Sequence, residues 1–80
     1  MTMRNDQVAF RWSEGKAATN HEGTFWTDGK KLYSYKLQIG DTADELKILR
    51  LYTANGRHGF KSQTTSQHVG KAKVYADILD

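Results

Sequence analysis

Apolar side chains recur along this chain first at every second position and then, near its end, at every third or fourth. Val8, Phe10 and Trp12 alternate with Gln7, Ala9 and Arg11, which predicts a half-buried strand over 7–13. The polar, glycine-flanked stretch 13–23 predicts a loop. Strands over 23–27 and 31–39 follow, joined through Asp28-Gly29. Asp-Gly between β-formers favours a type I′ turn, which needs positive φ at both central residues. In 31–39, Tyr33, Tyr35, Leu37 and Ile39 share one face, and Ser34, Lys36 and Gln38 the other.

Two patterns compete over 42–56. Thr42-Ala43-Asp44-Glu45 matches a capping box and Asn55-Gly56 a helix end, which together describe a helix. Ile48-Leu49-Arg50-Leu51-Tyr52-Thr53 is a compact run of bulky residues bounded by turn formers, and the preceding strand needs an antiparallel partner. We favour a strand over 46–54, then a turn and a short strand over 59–63. Hydroxyl residues Thr64, Thr65 and Ser66 then open a helix over 66–79. Val69, Ala72, Ala76 and Leu79 form one apolar stripe along it. Gly70, Val74 and Ile78 form another.

The elements predict an α+β fold, in which a small antiparallel meander of four or five strands is packed by one C-terminal helix. Its core should hold Val8, Phe10, Trp12, Tyr35, Leu37, Ile39, Leu49, Leu51, Val69, Ala72 and Ala76. A helix lying on a sheet hides one stripe only, so Gly70, Val74 and Ile78 are expected in a homodimer interface. Eighty residues suit a single domain over 1–80. The absence of cysteine excludes disulfides, zinc knuckles and thiol nucleophiles. No apolar run approaches the roughly 18 residues of a membrane span, and Met1 to Asp6 carries no signal-peptide core. A bacterial cytoplasmic location without membrane contact is the expectation.

Charge is laid out unevenly. Residues 46–76 hold Lys47, Arg50, Arg57, Lys61, Lys71 and Lys73 without one acidic residue. Such a segment attracts anions if its charges converge. Candidate anion-binding residues are Arg57 and His58 on a glycine-flexed loop, with Lys61, Thr65, Ser66 and His68 at the helix start, where free N–H groups and the helix dipole suit a phosphate. The hydroxyls serve equally as simple caps, and the loop as a solvated turn. Trp12, Trp26 and Tyr33 are candidate aromatic contacts for nucleobases, or core.

Catalytic signatures are sparse. Gly15-Lys16 and Gly29-Lys30 lack the glycine spacing and the following hydroxyl of a phosphate loop. His21-Glu22 begins like a metalloprotease motif, but Phe25 stands where the second histidine belongs. The histidine spacing matches no metal site. Neither catalysis, nor a cofactor, nor a metal is expected.

Thr27-Asp28-Gly29 with Leu32-Tyr33-Ser34-Tyr35, and Phe60 to Val69 with its Thr64-Thr65-Ser66-Gln67-His68-Val69 block, resemble a group of small bacteriophage-encoded proteins of unknown function. These share a tryptophan-bearing first strand, an Asp-Gly hairpin and a hydroxyl-rich helix start. The resemblance implies phage or prophage origin and favours strand over helix at 46–54. It supplies no catalytic residues. The expected function is a non-enzymatic phage accessory protein that acts by binding, for example by inhibiting a host defence or regulatory complex. The alternative is a nucleic-acid or nucleotide-binding module using the basic 46–76 segment.

Overall fold

The computed structural model describes residues 4–80; Met1 to Met3, part of the stretch read as lacking a signal peptide, lie outside them. Eight elements follow in order: α1 (Asn5–Ser13), β1 (Ala17–Thr19), β2 (Phe25–Asp28), β3 (Leu32–Ser34), β4 (Leu37–Ala43), β5 (Leu46–Leu49), α2 (Gln63–Lys73) and β6 (Ile78–Leu79). The strands form one sheet in sequence order, antiparallel except for the final β5–β6 pair. The architecture is α+β, with six strands rather than four or five and two helices rather than one.

The expected strand over 7–13 is the helix α1. Its buried residues are Val8, Ala9 and Trp12, a spacing of one and four that only a helix places on one face. Phe10, needed inward by the alternating pattern, is 46% exposed and leans on Tyr75 with ring centroids 5.9 Å apart. Gln7 Oε1 accepts the Arg4 N–H at 3.0 Å, which satisfies one of the free donors at the helix start.

Within the stretch 13–23, expected as loop, β1 adds an edge strand, Ala17 to Thr19 pairing with Asp28 to Trp26. The single strand expected over 31–39 is two strands. Tyr35 takes φ 58°, and the chain reverses so that Ser34 pairs with Leu37. Tyr33 and Leu37 therefore sit on different strands. Leu32 and Ser34 point inward while Tyr35 is exposed, so Tyr35 leaves the expected core. Phe25, Leu32, Ala9 and Tyr52 join Val8, Trp12, Ile39, Leu49, Val69 and Ala72 there, and Leu37, Leu51 and Ala76 pack against it half-buried.

Glycine is required at two places. Gly29 takes φ 103° in the β2–β3 turn, and a Cβ there would lie 2.8 Å from the Gly15 carbonyl oxygen. A Cβ on Gly40 would lie 2.8 Å from Cζ2 of Trp12, so the indole packs directly on β4 backbone. The Asp28-Gly29 hairpin forms, but with positive φ at Gly29 alone among its central residues. Asp28 Oδ1 instead accepts the N–H groups of Lys30 (2.9 Å) and Lys31 (2.7 Å).

The type I′ signature lies elsewhere. Asp44 and Glu45 take φ 52° and 68° in the two-residue connection between Ala43 and Leu46, which are paired. The capping-box reading of Thr42 to Glu45 thus gives way to a hairpin, and the favoured strand begins at Leu46. It ends at Leu49 rather than 54: the Arg50 and Leu51 N–H groups still reach the neighbouring chains, at the Ile39 and Asp80 carbonyls, but the Tyr52 N–H folds back onto the Arg50 carbonyl at 3.0 Å and takes the chain out of the sheet. Residues 59–62 form no strand. α2 starts at Gln63 because Ser62, not Thr64 to Ser66, is its N-cap, its hydroxyl accepting the Thr65 N–H at 3.1 Å. The helix ends at Lys73, well short of 79. Asp77 then exchanges two bonds with the Lys47 backbone, at 2.7 and 2.8 Å, and draws Ile78 and Leu79 into the sheet. Gly70, Val74 and Ile78 therefore share no helical stripe: Val74 is the C-cap, 79% exposed, and Ile78 belongs to β6. The stripe was the reason to expect a dimer, and it does not form.

A non-glycine residue in the left-handed region costs roughly 1–2 kcal/mol. Glu45→Gly should therefore stabilise the fold by about 1 kcal/mol in urea unfolding, whereas a loss would show that Glu45 holds the hairpin through its side chain.

Candidate functional site

Both helices supply their buried side chains to one face of the sheet, against Phe25, Leu32, Ile39 and Leu49. The other face is assembled from the alternate strand positions. Thr19, Trp26, Tyr33 and Gln38 lie side by side across β1 to β4. Asp41, Ile48 and Ile78 do the same across β4 to β6, and Leu46 opposes Ala43 two pairs further on. Trp26 and Tyr33 stack with ring centroids 4.1 Å apart and planes 11° from parallel. The Trp26 indole N–H donates to the Tyr35 carbonyl at 2.9 Å, which fixes the ring over β3. Leu46 and Ile78 are each more than 40% exposed. The charged residues at outward positions, Asp28, Lys31, Asp41 and Arg50, are of both signs.

The expected anion-binding residues divide into two groups. Arg57, His58, Lys61 and Ser66 gather around Tyr52 and Asp80. Arg57 Nη1 and His58 Nε2 lie 3.1 and 3.0 Å from the two carboxylate oxygens of Asp80. The Lys61 ammonium sits 5.9 Å from the Tyr52 ring centre, and Ser66 Oγ donates to the Tyr52 carbonyl at 3.2 Å. The His58 hydrogen bond, with Arg57 and Arg50 nearby, holds the Asp80 carboxyl below the usual carboxylate range. This anion already engages Arg57 and His58 of the loop.

Thr65 and His68 turn the other way, into the core. Ser34 Oγ lies 2.7 Å from His68 Nδ1 and 3.0 Å from Thr65 Oγ1, and the imidazole stacks on Phe25 at 4.4 Å. The Ser34–His68 distance is one a nucleophile and its base would show. Both side chains are buried, so the trio fastens α2 to β3 rather than facing a substrate. Of the aromatic candidates, Trp12 is fully buried, while Trp26 and Tyr33 share the open face. Among the described residues, no three His, Cys, Asp or Glu side chains come close enough to hold a metal ion. No helix among the described residues is long and apolar enough to cross a membrane.

Sequence reasoning missed Leu46, Ile48 and Gln38 as parts of this face. Alternation within 46–49 could have grouped Leu46 with Ile48. Only the positions of the two hairpins set those residues beside Trp26 and Tyr33. Comparison with protein-family models, curated proteins and solved structures finds no match for this chain.

Burial pushes the His68 imidazole below its ordinary pKa, against a weaker opposing pull from Glu22. Folded His68 therefore stays neutral where the unfolded residue, titrating near 6.5, takes up a proton. Its contribution is full above pH about 6.5 and is lost as pH falls below it. Unfolding free energy should fall from pH 7 to 5.5 with a slope up to about 1.4 kcal/mol per pH unit steeper in the wild type than in His68→Gln. Coincident slopes would contradict the burial of a neutral imidazole.

Proposed function

We propose that this chain acts by binding, without catalysis, and that its partner is a protein surface seated on the open face of the sheet. The observation that supports this most is a pair of apolar groups on the side away from both helices, the stacked Trp26 and Tyr33 on β2 and β3 and Leu46, Ile48 and Ile78 on β5 and β6, set on either side of Gln38 and Asp41 of β4. An antiparallel sheet tolerates one solvated face, but that face is ordinarily polar. Exposed contiguous apolar surface marks interaction sites, and tryptophan and tyrosine are enriched among the residues that carry binding energy.

A nucleic-acid partner suits this face less well. Each stacked ring already gives one side to the other, and the surrounding charges are of mixed sign. The basic 46–76 segment contributes little more, with Arg57 and His58 turned to Asp80. Joined to the resemblance to phage proteins, the open face suits an accessory protein that occupies, and so blocks, a surface of a host protein complex in the bacterial cytoplasm.

Affinity capture from bacterial lysate with wild type and with a Tyr33→Glu, Ile48→Lys double variant tests this reading. Both substitutions lie on the outer face, so the thermal midpoint should stay within a few degrees. A protein retained by the wild type and lost by the variant is the expected result. Equal retention by both, or salt-sensitive recovery of nucleic acid alone, would contradict it.

A further inference from the structure

On the helix-covered side of the sheet, the end of α1, the β2–β3 turn and the β4–β5 hairpin border a solvent-open cleft of about 720 Å³. Lys47 lines it. This residue alternates inward with Leu49 on β5 and is only 7% exposed. Its Nζ donates to Thr42 Oγ1 at 2.8 Å. The Thr42 hydroxyl in turn donates to the Lys30 carbonyl at 2.7 Å, the same oxygen that accepts the Trp12 indole N–H at 3.1 Å. With its own proton committed there, the hydroxyl meets Lys47 as an acceptor.

Among the described residues, no other hydrogen bond reaches Nζ, and no carboxylate comes within 4.0 Å of it. The nearby Asp77 carboxylate is taken by the Lys47 backbone N–H instead. The Trp12 ring centre lies 5.6 Å away. Burial pushes the ammonium below the ordinary lysine range, with Asp77 opposing, and so raises the share of free amine near neutral pH. Desolvation of this kind is one way lysines become nucleophiles.

We propose that Lys47 Nζ is a nucleophilic amine and that the cleft takes a small, uncharged carbonyl compound, held as an imine. The charges facing the cleft select against anions, since Lys30 and Lys47 are outnumbered by Glu14, Asp44 and Glu45. The amine lone pair attacks the carbonyl carbon and a C–N bond forms, giving a carbinolamine. The C–O bond then breaks, and the two protons of the free amine depart with that oxygen as water. No oxidant or reductant is needed. Thr42 positions the amine and holds its protonated form. The site does not depend on the open sheet face.

Reductive labelling of the folded wild type tests the proposal. Acetaldehyde and cyanoborohydride at pH 7.5, quenched at low conversion, convert each imine formed into a stable ethylamine, which peptide mass spectrometry locates. The chain has eight lysines. Lys47 should be labelled severalfold faster than any of the other seven, because burial leaves a larger share of it as free amine. A protonated lysine that merely guards a strand against edge pairing would instead be among the slowest, and a rate no higher than the others overturns the proposal. In Thr42→Val, which loses the acceptor but keeps the side-chain shape, half-maximal labelling of Lys47 should move to lower pH while the other lysines stay unchanged. An unchanged Lys47 profile removes the role given to Thr42.

Discussion

The seating of Trp12 on Gly40 is the contact that the rest of this fold depends on. A side chain from the first helix crosses to the sheet, lies against bare backbone on β4, and donates its indole proton to the Lys30 carbonyl in the β2–β3 turn. Three separate pieces of chain are tied by one residue. A buried tryptophan removes about 150–250 Å² from water, which at ~25 cal/mol per Å² is roughly 4–6 kcal/mol. Domains have only about 5–15 kcal/mol in total, so the helix-to-sheet layer arrangement rests heavily on this contact. The same geometry shapes the Lys47 cleft, because the indole forms part of the amine's surroundings and the Lys30 carbonyl anchors both Trp12 and Thr42.

The sheet consequently has two unlike faces. Toward the helices it is sealed by Phe25, Leu32, Ile39 and Leu49, with the Ser34–Thr65–His68 cluster as its polar fastening. Away from them, the same strands present Trp26, Tyr33, Ile48 and Ile78. Strand alternation makes this division unavoidable. Once Trp12 directs the helices to one side, the odd and even positions of every strand acquire opposite fates. Asp80 completes the frame from the far edge, where its backbone bonds to Leu49 and Leu51 and its carboxylate holds Arg57 and His58.

Parts of this were legible in the residues. Trp12, Val8, Ile39, Leu49, Val69 and Ala72 read as core and are core, since bulk and periodicity mark them under either secondary structure. The strand beginning at Leu46 and the Asp-Gly hairpin were also readable. Residues 5–13 were not, because Val8, Phe10 and Trp12 fit a strand as well as Val8, Ala9 and Trp12 fit a helix. The choice is made by packing against α2 and β2, which no local pattern contains. The left-handed Tyr35 breaks the expected strand over 31–39, and Asp44 and Glu45 make the turn that leads into the favoured strand, all three being residues that rarely adopt that conformation. The candidate anion-binding residues divide for a related reason: the helix start at Ser62 turns Thr65 and His68 inward, and Asp80, a carboxylate from outside the basic segment, engages Arg57 and His58.

Hydrogen exchange at the two indole N–H groups tests the seating of Trp12 most directly, because the chain holds two tryptophans and each gives a separate nuclear magnetic resonance signal. Both protons are hydrogen-bonded, but Trp12 is fully buried and Trp26 lies on the open face. The Trp12 proton should exchange only with global unfolding, as slowly as the core amides of β4 and β5, and the Trp26 proton far faster. Comparable fast exchange at both would contradict the central role of Trp12 and the arrangement of helix and sheet built upon it.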